Sequence, residues 1–172
     1  IAIVTPSRVT FTRGVMEYLI AGLWDGLNNY TPHQAEIIKV PIDESSFWGI
    51  IDGYKKFYHM DLDHFDMVIT TKYPAWMVRH PNHICYMAHR LRGVYDTYHL
   101  TGLPEEVPGH NLYINKVLKY MDQKGSTVEG LFDALDELYK VQEKVPEEFF
   151  ALPGPFLRRV VRFMDDKALS HR

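Results

Sequence analysis

The residues best suited to charge and proton chemistry lie between Asp66 and Asp96. Met67 through Tyr95 contain no Asp or Glu, yet carry Lys72, Arg79, Arg90 and Arg92 together with His80, His83 and His89. Guanidinium forks and ammonium groups make charge-assisted contacts with phosphate and carboxylate, so this stretch could form a positive mouth on a weakly acidic body. The same spacing also suits a solvated charged loop, and both readings stay open on spacing alone. His89 follows the apolar run Ile84-Cys85-Tyr86-Met87. An imidazole at a strand end can bond a substrate hydroxyl or orient a sugar ring, although a single histidine there is more often a structural hydrogen-bonding residue. His80 and His83 are interrupted by Pro81 and have no carboxylate close by, which makes a poor zinc pair. Cys85 has apolar neighbours and reads as core rather than nucleophile. Tyr95 and Asp96 suit ligand contact or a loop-anchoring hydrogen bond equally well.

These residues need elements to position them. Ile1 to Val4 read as a strand buried on both faces, closed by Thr5 and Pro6. Thr12 can cap a helix from Arg13 to Asn28, in which Val15, Leu19, Leu23 and Leu27 recur every four residues beside Met16 and Ile20. Gly22 and Gly26 weaken that helix, a cost best offset if it lies close against a sheet. Ala35 to Val40 form a second strand, and Ser45 or Ser46 caps a helix carrying Trp48, Ile51 and Tyr54. Met67 to Ile69 make a third strand ended by Thr70, Thr71 and Lys72. Trp76 to Val78 make a helical turn, and Ile84 to Met87 a fourth strand. Short strands separated by helices predict an α/β fold with a mostly parallel, Rossmann-like sheet flanked by helices. Ligands of such sheets bind outside the carboxyl ends of the strands, where Thr70, Lys72, His89, Arg90 and Arg92 fall. The N-terminus of the first helix, near Gly14, also offers unpaired N–H groups to a phosphate.

Beyond Thr101 the pattern is helical. Leu112, Val117, Leu118 and Met121 mark one helix, and Ser126 with Glu129 has capping-box spacing before Leu131, Phe132, Leu135 and Leu138. Phe156 to Met164 mark a terminal helix after Pro153-Gly154-Pro155. With 172 residues and 46% apolar composition, the chain can bury a core without disulfides or metal staples. The formal charge of -3 gives no global field for a nucleic-acid partner. One cysteine and no apolar run long enough to span a bilayer favour a cytoplasmic protein, with peripheral contact at a membrane left open. The three-glycine dinucleotide fingerprint, the nucleotide-hydrolase P-loop and the nucleophile elbow are absent.

The run Phe65-Asp66-Met67-Val68-Ile69-Thr70-Thr71-Lys72-Tyr73-Pro74, followed by His80-Pro81-Asn82-His83-Ile84-Cys85-Tyr86-Met87-Ala88-His89-Arg90-Leu91-Arg92-Gly93-Val94-Tyr95-Asp96, resembles the amino-terminal domain of retaining glycosyltransferases of family 4. The likeness is best over Ile1 to His99, and Arg162 to Leu169 resembles the connector toward a second domain. It implies one half of a GT-B enzyme, in which two Rossmann-like domains face each other across a cleft. Residues 1–172 would be the amino-terminal, acceptor-side domain, with 154–172 leading into the interdomain connector and the carboxyl-terminal donor-binding domain missing from this chain. The parent enzyme would transfer a sugar from a nucleotide-sugar co-substrate to a carbohydrate or lipid-linked acceptor with retention. By itself, the piece would be inactive.

Carried over residue by residue, the resemblance puts His89 near the transferred sugar as the catalytic candidate and Gly14 where the first loop approaches the donor diphosphate. Lys72, Arg90 and Arg92 become acceptor-side candidates, and Glu17, Tyr95 and Asp96 supporting ones. No metal or resident cofactor is implied. Arg13-Gly14 stands where the family has paired glycines, a departure from the pattern. The alternatives are a self-contained Rossmann-like or flavodoxin-like domain binding a phosphorylated small molecule, and a helical interaction protein using the later acidic region.

Overall fold

The computed structural model describes residues 1–7 and 14–170, so the expected cap at Thr12 and the start of the first helix at Arg13 lie outside the described residues. The chain divides into two compact units, Ile1–Leu91 and Arg92–Arg172.

The first unit holds a four-stranded sheet built from β1 (Ala2–Ser7), β2 (Glu36–Pro41), β3 (Val68–Lys72) and β4 (His83–His89), in the order β2-β1-β3-β4. All three strand pairings are parallel. Helix α1 (Val15–Tyr30) carries the chain from β1 out to β2, and α2 (Phe47–Tyr58) brings it back past β1 to β3. The crossovers run in opposite directions. Right-handed connections therefore put the two helices on opposite faces, the arrangement of a generic Rossmann-like α/β fold. Strand order reverses between β1 and β3, which makes their carboxyl ends the topological switch point.

The strands run further than their apolar cores predict. β1 continues through Thr5 and Pro6 to Ser7. Its pairing with β3 stops at Val4, so Pro6, which has no N–H to donate, lies where only β2 is a neighbour. β3 includes Thr70, Thr71 and Lys72 instead of ending before them, as suits β-branched threonines. β4 extends to His89, and β2 is displaced by one residue at each end. The turn expected at Trp76 is a 3₁₀ turn over Ala75–Met77.

Helix α1 begins at Val15, with Gly14 as N-cap. Ile20 is buried with Ile3 and Ala35, and Leu23, Leu27 and Ile37 pack against this cluster. Asn28 ties the helix to the entrance of β2, donating to the Ala35 carbonyl at 3.1 Å and accepting from its N–H at 3.0 Å. Val15, Tyr18, Leu19 and Tyr30 are exposed. The close packing expected around Gly22 and Gly26 is not found, since a Cβ at either position would meet nothing within 4 Å. Ser46, not Ser45, caps α2 by accepting from the Gly49 N–H at 3.0 Å.

The second unit is helical. It contains α3 (Leu112–Asp122), α4 (Val128–Lys140) and α5 (Pro155–Leu169), joined by 3₁₀ turns and loops. Asn111 caps α3. The cap of α4 is Thr127, whose hydroxyl accepts from the Gly130 N–H at 3.1 Å. Ser126 is buried instead and bonds back to the Met121 carbonyl. Spacing alone could not separate two adjacent hydroxyl residues. Ile114, Val117, Leu131, Leu135 and Leu138 are buried on α3 and α4, and Val160, Val161 and Met164 on α5. None of the helices among the described residues is long and apolar enough to cross a membrane.

Because Gly22 and Gly26 have open space and ordinary helical backbone, Gly22→Ala and Gly26→Ala should each stabilise the fold by about 0.5–1 kcal/mol, through helix propensity and a less disordered unfolded chain. Urea unfolding checks this; a loss of stability would mean that the α1 flank is covered in solution.

Candidate functional site

Four chain segments meet the carboxyl edge of the sheet in the first unit: the entrance of α1 after β1, the loop from β2 into α2, and the ends of β3 and β4. Register brings two expected site residues together there. Thr70 is opposite Cys85, but Lys72 is opposite His89, so a step of two residues in β3 answers a step of four in β4. The register thus shifts by two residues, a bulge-like interruption of the ladder. It sets His89 beside Lys72 at the rim. Beside the bulge, the Thr71 hydroxyl is fully buried and has no hydrogen-bond partner among the described residues. Such an orphan costs about 1–3 kcal/mol.

His89 is half-buried, and its Nδ1 lies 2.9 Å from the Arg90 carbonyl oxygen. A carbonyl can only accept, so Nδ1 donates this bond and Nε2 is the ring nitrogen left for a ligand. The Tyr73 N–H donates to the His89 carbonyl at 3.4 Å, and the two rings are 6.2 Å apart. Lys72 Nζ lies 5.5 Å from the Tyr73 ring centroid and 3.9 Å from Glu44 Oε1. The Tyr73 hydroxyl donates to that same oxygen. Lys72, Tyr73, His89 and Glu44 thus form one connected group.

Glu44 was not expected from the sequence. It stands in the loop after β2, far from the cationic stretch in the chain, but β2 ends at the same rim. The usable signal was the strand end at Pro41, after which Asp43 and Glu44 must emerge beside the switch point. The loop is firmly built. Asp43 accepts from the Ser45 N–H at 2.8 Å and from its hydroxyl at 2.6 Å. Gly49 packs so tightly that a Cβ would come within 2.6 Å of the Asp43 carboxylate and 2.7 Å of its carbonyl oxygen.

At the entrance of α1, the Gly14 N–H donates to Glu17 Oε2 at 2.8 Å. Glycine has no side chain to return the bond, so this is half of a capping box, with the Glu17 N–H bonding the Gly14 carbonyl at 3.1 Å. The carboxylate already occupies the positive end of the helix. An incoming anion would have to displace it.

Two cations of the expected positive mouth meet carboxylates from outside the acid-free stretch. Lys72 faces Glu44, and Arg92 pairs with Asp96 at 2.9 Å. Arg79 donates to the Tyr58 carbonyl and lies 4.5 Å from that ring's centroid. Arg90 is half-buried. His80 and His83 are structural: His80 Nδ1 accepts from the Asn82 N–H at 3.1 Å while its Nε2 donates to the Phe65 carbonyl at 2.9 Å, and His83 Nε2 lies 2.7 Å from the Thr70 hydroxyl. Cys85 is half-buried. Among the described residues no group of three or more His, Cys, Asp or Glu is placed to hold a metal.

Arg92, Tyr95 and Asp96 belong to the second unit. The Arg92–Asp96 pair is exposed and contributes little. The Tyr95 hydroxyl donates to fully buried Asp165 of α5 at 2.9 Å, anchoring the turn to that helix.

The two Ser45 bonds, that of its side chain first, hold the Asp43 carboxyl below the ordinary carboxylate range. Its contribution to stability is therefore present above the unfolded pKa and is lost as pH falls through the lower folded one. Titration followed by NMR should show this depressed midpoint, with Ser45→Ala moving it upward; an unshifted midpoint in both proteins would contradict the loop geometry. In comparisons with protein-family models, curated proteins and solved structures, nothing matches this chain.

Proposed function

We propose that this chain supplies the acceptor side of a retaining, nucleotide-sugar-dependent glycosyltransferase of the GT-B type. Two things support the reading. The run from Phe65 to Asp96 resembles family 4, and its two strands, β3 and β4, are adjacent and parallel and end at the carboxyl rim of the sheet. The observation that carries it is the register of Lys72 against His89, which sets an ammonium group and an imidazole side by side where such sheets bind ligands.

In this role the chain binds and orients; it provides no nucleophile. His89 Nε2 accepts a hydrogen bond from a sugar hydroxyl, with the ring held by its Nδ1 contact to the Arg90 carbonyl. Lys72 donates to acceptor oxygens, and Arg90 and Arg92 remain acceptor-side candidates. Holding the attacking hydroxyl near the anomeric carbon lowers the entropic part of the barrier. Cationic groups of a separate donor domain stabilise the charge on the departing nucleotide diphosphate. Gly14 approaches the donor phosphates once the Glu17 carboxylate yields its place on the Gly14 N–H.

The strand order β2-β1-β3-β4 is also that of flavodoxin-like binding domains, which keeps a second reading: a domain that binds a phosphorylated small molecule by itself. Saturable binding of such a metabolite at the Gly14 entrance, in a protein without a donor domain, would favour it.

In the full-length enzyme, His89→Ala should lower kcat by about 10²-fold at saturating donor and acceptor, the scale of one lost proton-handling or orienting group, with little change in Tm. Unchanged turnover in a folded His89→Ala protein would remove His89 from the chemistry.

A further inference from the structure

The helical hairpin of the second unit holds a cleft of about 290 Å³ between α3 and α4. Its floor is apolar: Val117 and Leu138 are buried there, and Ala134 is half-buried. Nearer the turn, the hairpin closes this side with its own aromatic. Tyr120, one turn beyond Lys116, lies over Gly130, one turn before Ala134; a Cβ at Gly130 would run into the phenol, whose hydroxyl accepts from the Thr127 N–H at 3.0 Å. Towards Tyr113 and Val141 the groove stands open. On α4, Asp133, Glu137 and Val141 lie one turn apart, so the groove follows the helix axis for about two turns, roughly 12 Å.

The two walls differ in sign. Helix α4 carries Glu129, Asp133, Asp136 and Glu137 against Lys140, whereas α3 carries Lys116 and Lys119 against Asp122. Asp122 is engaged by Arg159, and Glu137 by Lys140 at 2.5 Å. That leaves Asp133 on one rim and Lys116 on the other with no ion-pair partner among the described residues. An apolar floor between an acidic and a basic wall fits a third helix laid along the hairpin, since charges flanking its apolar stripe meet the walls. We infer that the α3–α4 groove docks an amphipathic helix of a partner protein, with its apolar stripe on Val117 and Leu138, basic side chains toward α4 and acidic ones toward α3. A second copy of this chain is a poor occupant. Its exposed apolar helix, α1, carries Glu17 and Asp25 but no cation for the α4 wall. Face to face, two such clefts would join eight lining residues a side, against the roughly 20–30 of a stable interface. The inference concerns the second unit alone and does not depend on the acceptor-side reading.

Two-heptad model helices test it against the full chain, each with leucine at positions a and d and a lactam bridge on its outer face. One has lysine at e and glutamate at g, a second glutamate at both, and a third lysine at both. Fluorescence anisotropy should give the mixed helix the tightest binding, with Kd on the order of 10–100 μM, and the glutamate-only helix at least about fivefold weaker. In amide NMR the mixed helix should shift Val117, Ala134, Leu138 and Val141. Asp133→Lys should weaken the mixed helix about threefold and improve the glutamate-only one, a swap that a general loss of structure does not produce. Should that variant fail to fold, Lys116→Glu serves instead, with the mixed helix weakened and the lysine-only one improved.

A lysine-only helix that binds as tightly as the mixed one would reduce the groove to a general attraction for cations and overturn the two-walled site. So would shifts confined to residues outside α3 and α4, an undiminished affinity in folded Asp133→Lys, or silence from all three helices at about millimolar concentration. Sedimentation of the chain alone supplies the last outcome: a dimer that Asp133→Lys disperses would put a second copy in the groove and overturn the partner helix.

Discussion

The pairing of β3 with β4 is the constraint on which the rest depends. Two parallel strands in uninterrupted register would carry Lys72 opposite Met87, and the bulge replaces that residue with His89. Both strands lie in a sheet whose hydrogen-bond ladder fixes the backbone, so the relation between the ammonium and the imidazole does not rely on a free loop. Within this shift lies Thr71, whose hydroxyl is buried with no hydrogen-bond partner among the described residues. Such an orphan is tolerated most readily where the local geometry is used.

Glu44 shows how the second layer of the rim is assembled. Its loop follows β2, on the far side of β1 from β3, yet its carboxylate reaches the end of β3 and receives both Lys72 and the Tyr73 hydroxyl. The result is a polar cluster that is largely internally satisfied before any ligand binds. At the α1 entrance the same principle recurs on a smaller scale, since Glu17 satisfies the Gly14 N–H. Both places hold a carboxylate where a reading of cations alone expects an open positive site.

The α/β class and the parallel sheet were legible because short apolar runs alternate with amphipathic stretches, and the helix caps at Ser46 and the α4 entrance were found to within a residue. The ends of strands were less legible. Thr70, Thr71 and Lys72 look like a strand terminator in isolation, but sheet neighbours supply the ladder that keeps them extended. The partners of the cations were invisible for a different reason: Glu44 is distant in the chain from Lys72, and only the crossover through α2 brings them together. Gly22 and Gly26 suggested a close helix–sheet contact, whereas the helix turns them away and packs Ile20, Leu23 and Leu27 instead. Nothing in an amphipathic pattern distinguishes a glycine that permits contact from one that merely borders it.

The outer margin of β4 carries one last consequence. Among the described residues no strand pairs beyond it, and Ile84 and Tyr86 on this strand are 48% and 57% exposed. Proteins normally shield such a border with charge, proline or a covering segment, and Ile84-Cys85-Tyr86 supplies neither of the first two. For the first unit taken by itself, that border is a row of backbone N–H and C=O groups to which another strand could add, and a lysine in place of Ile84 would discourage the addition.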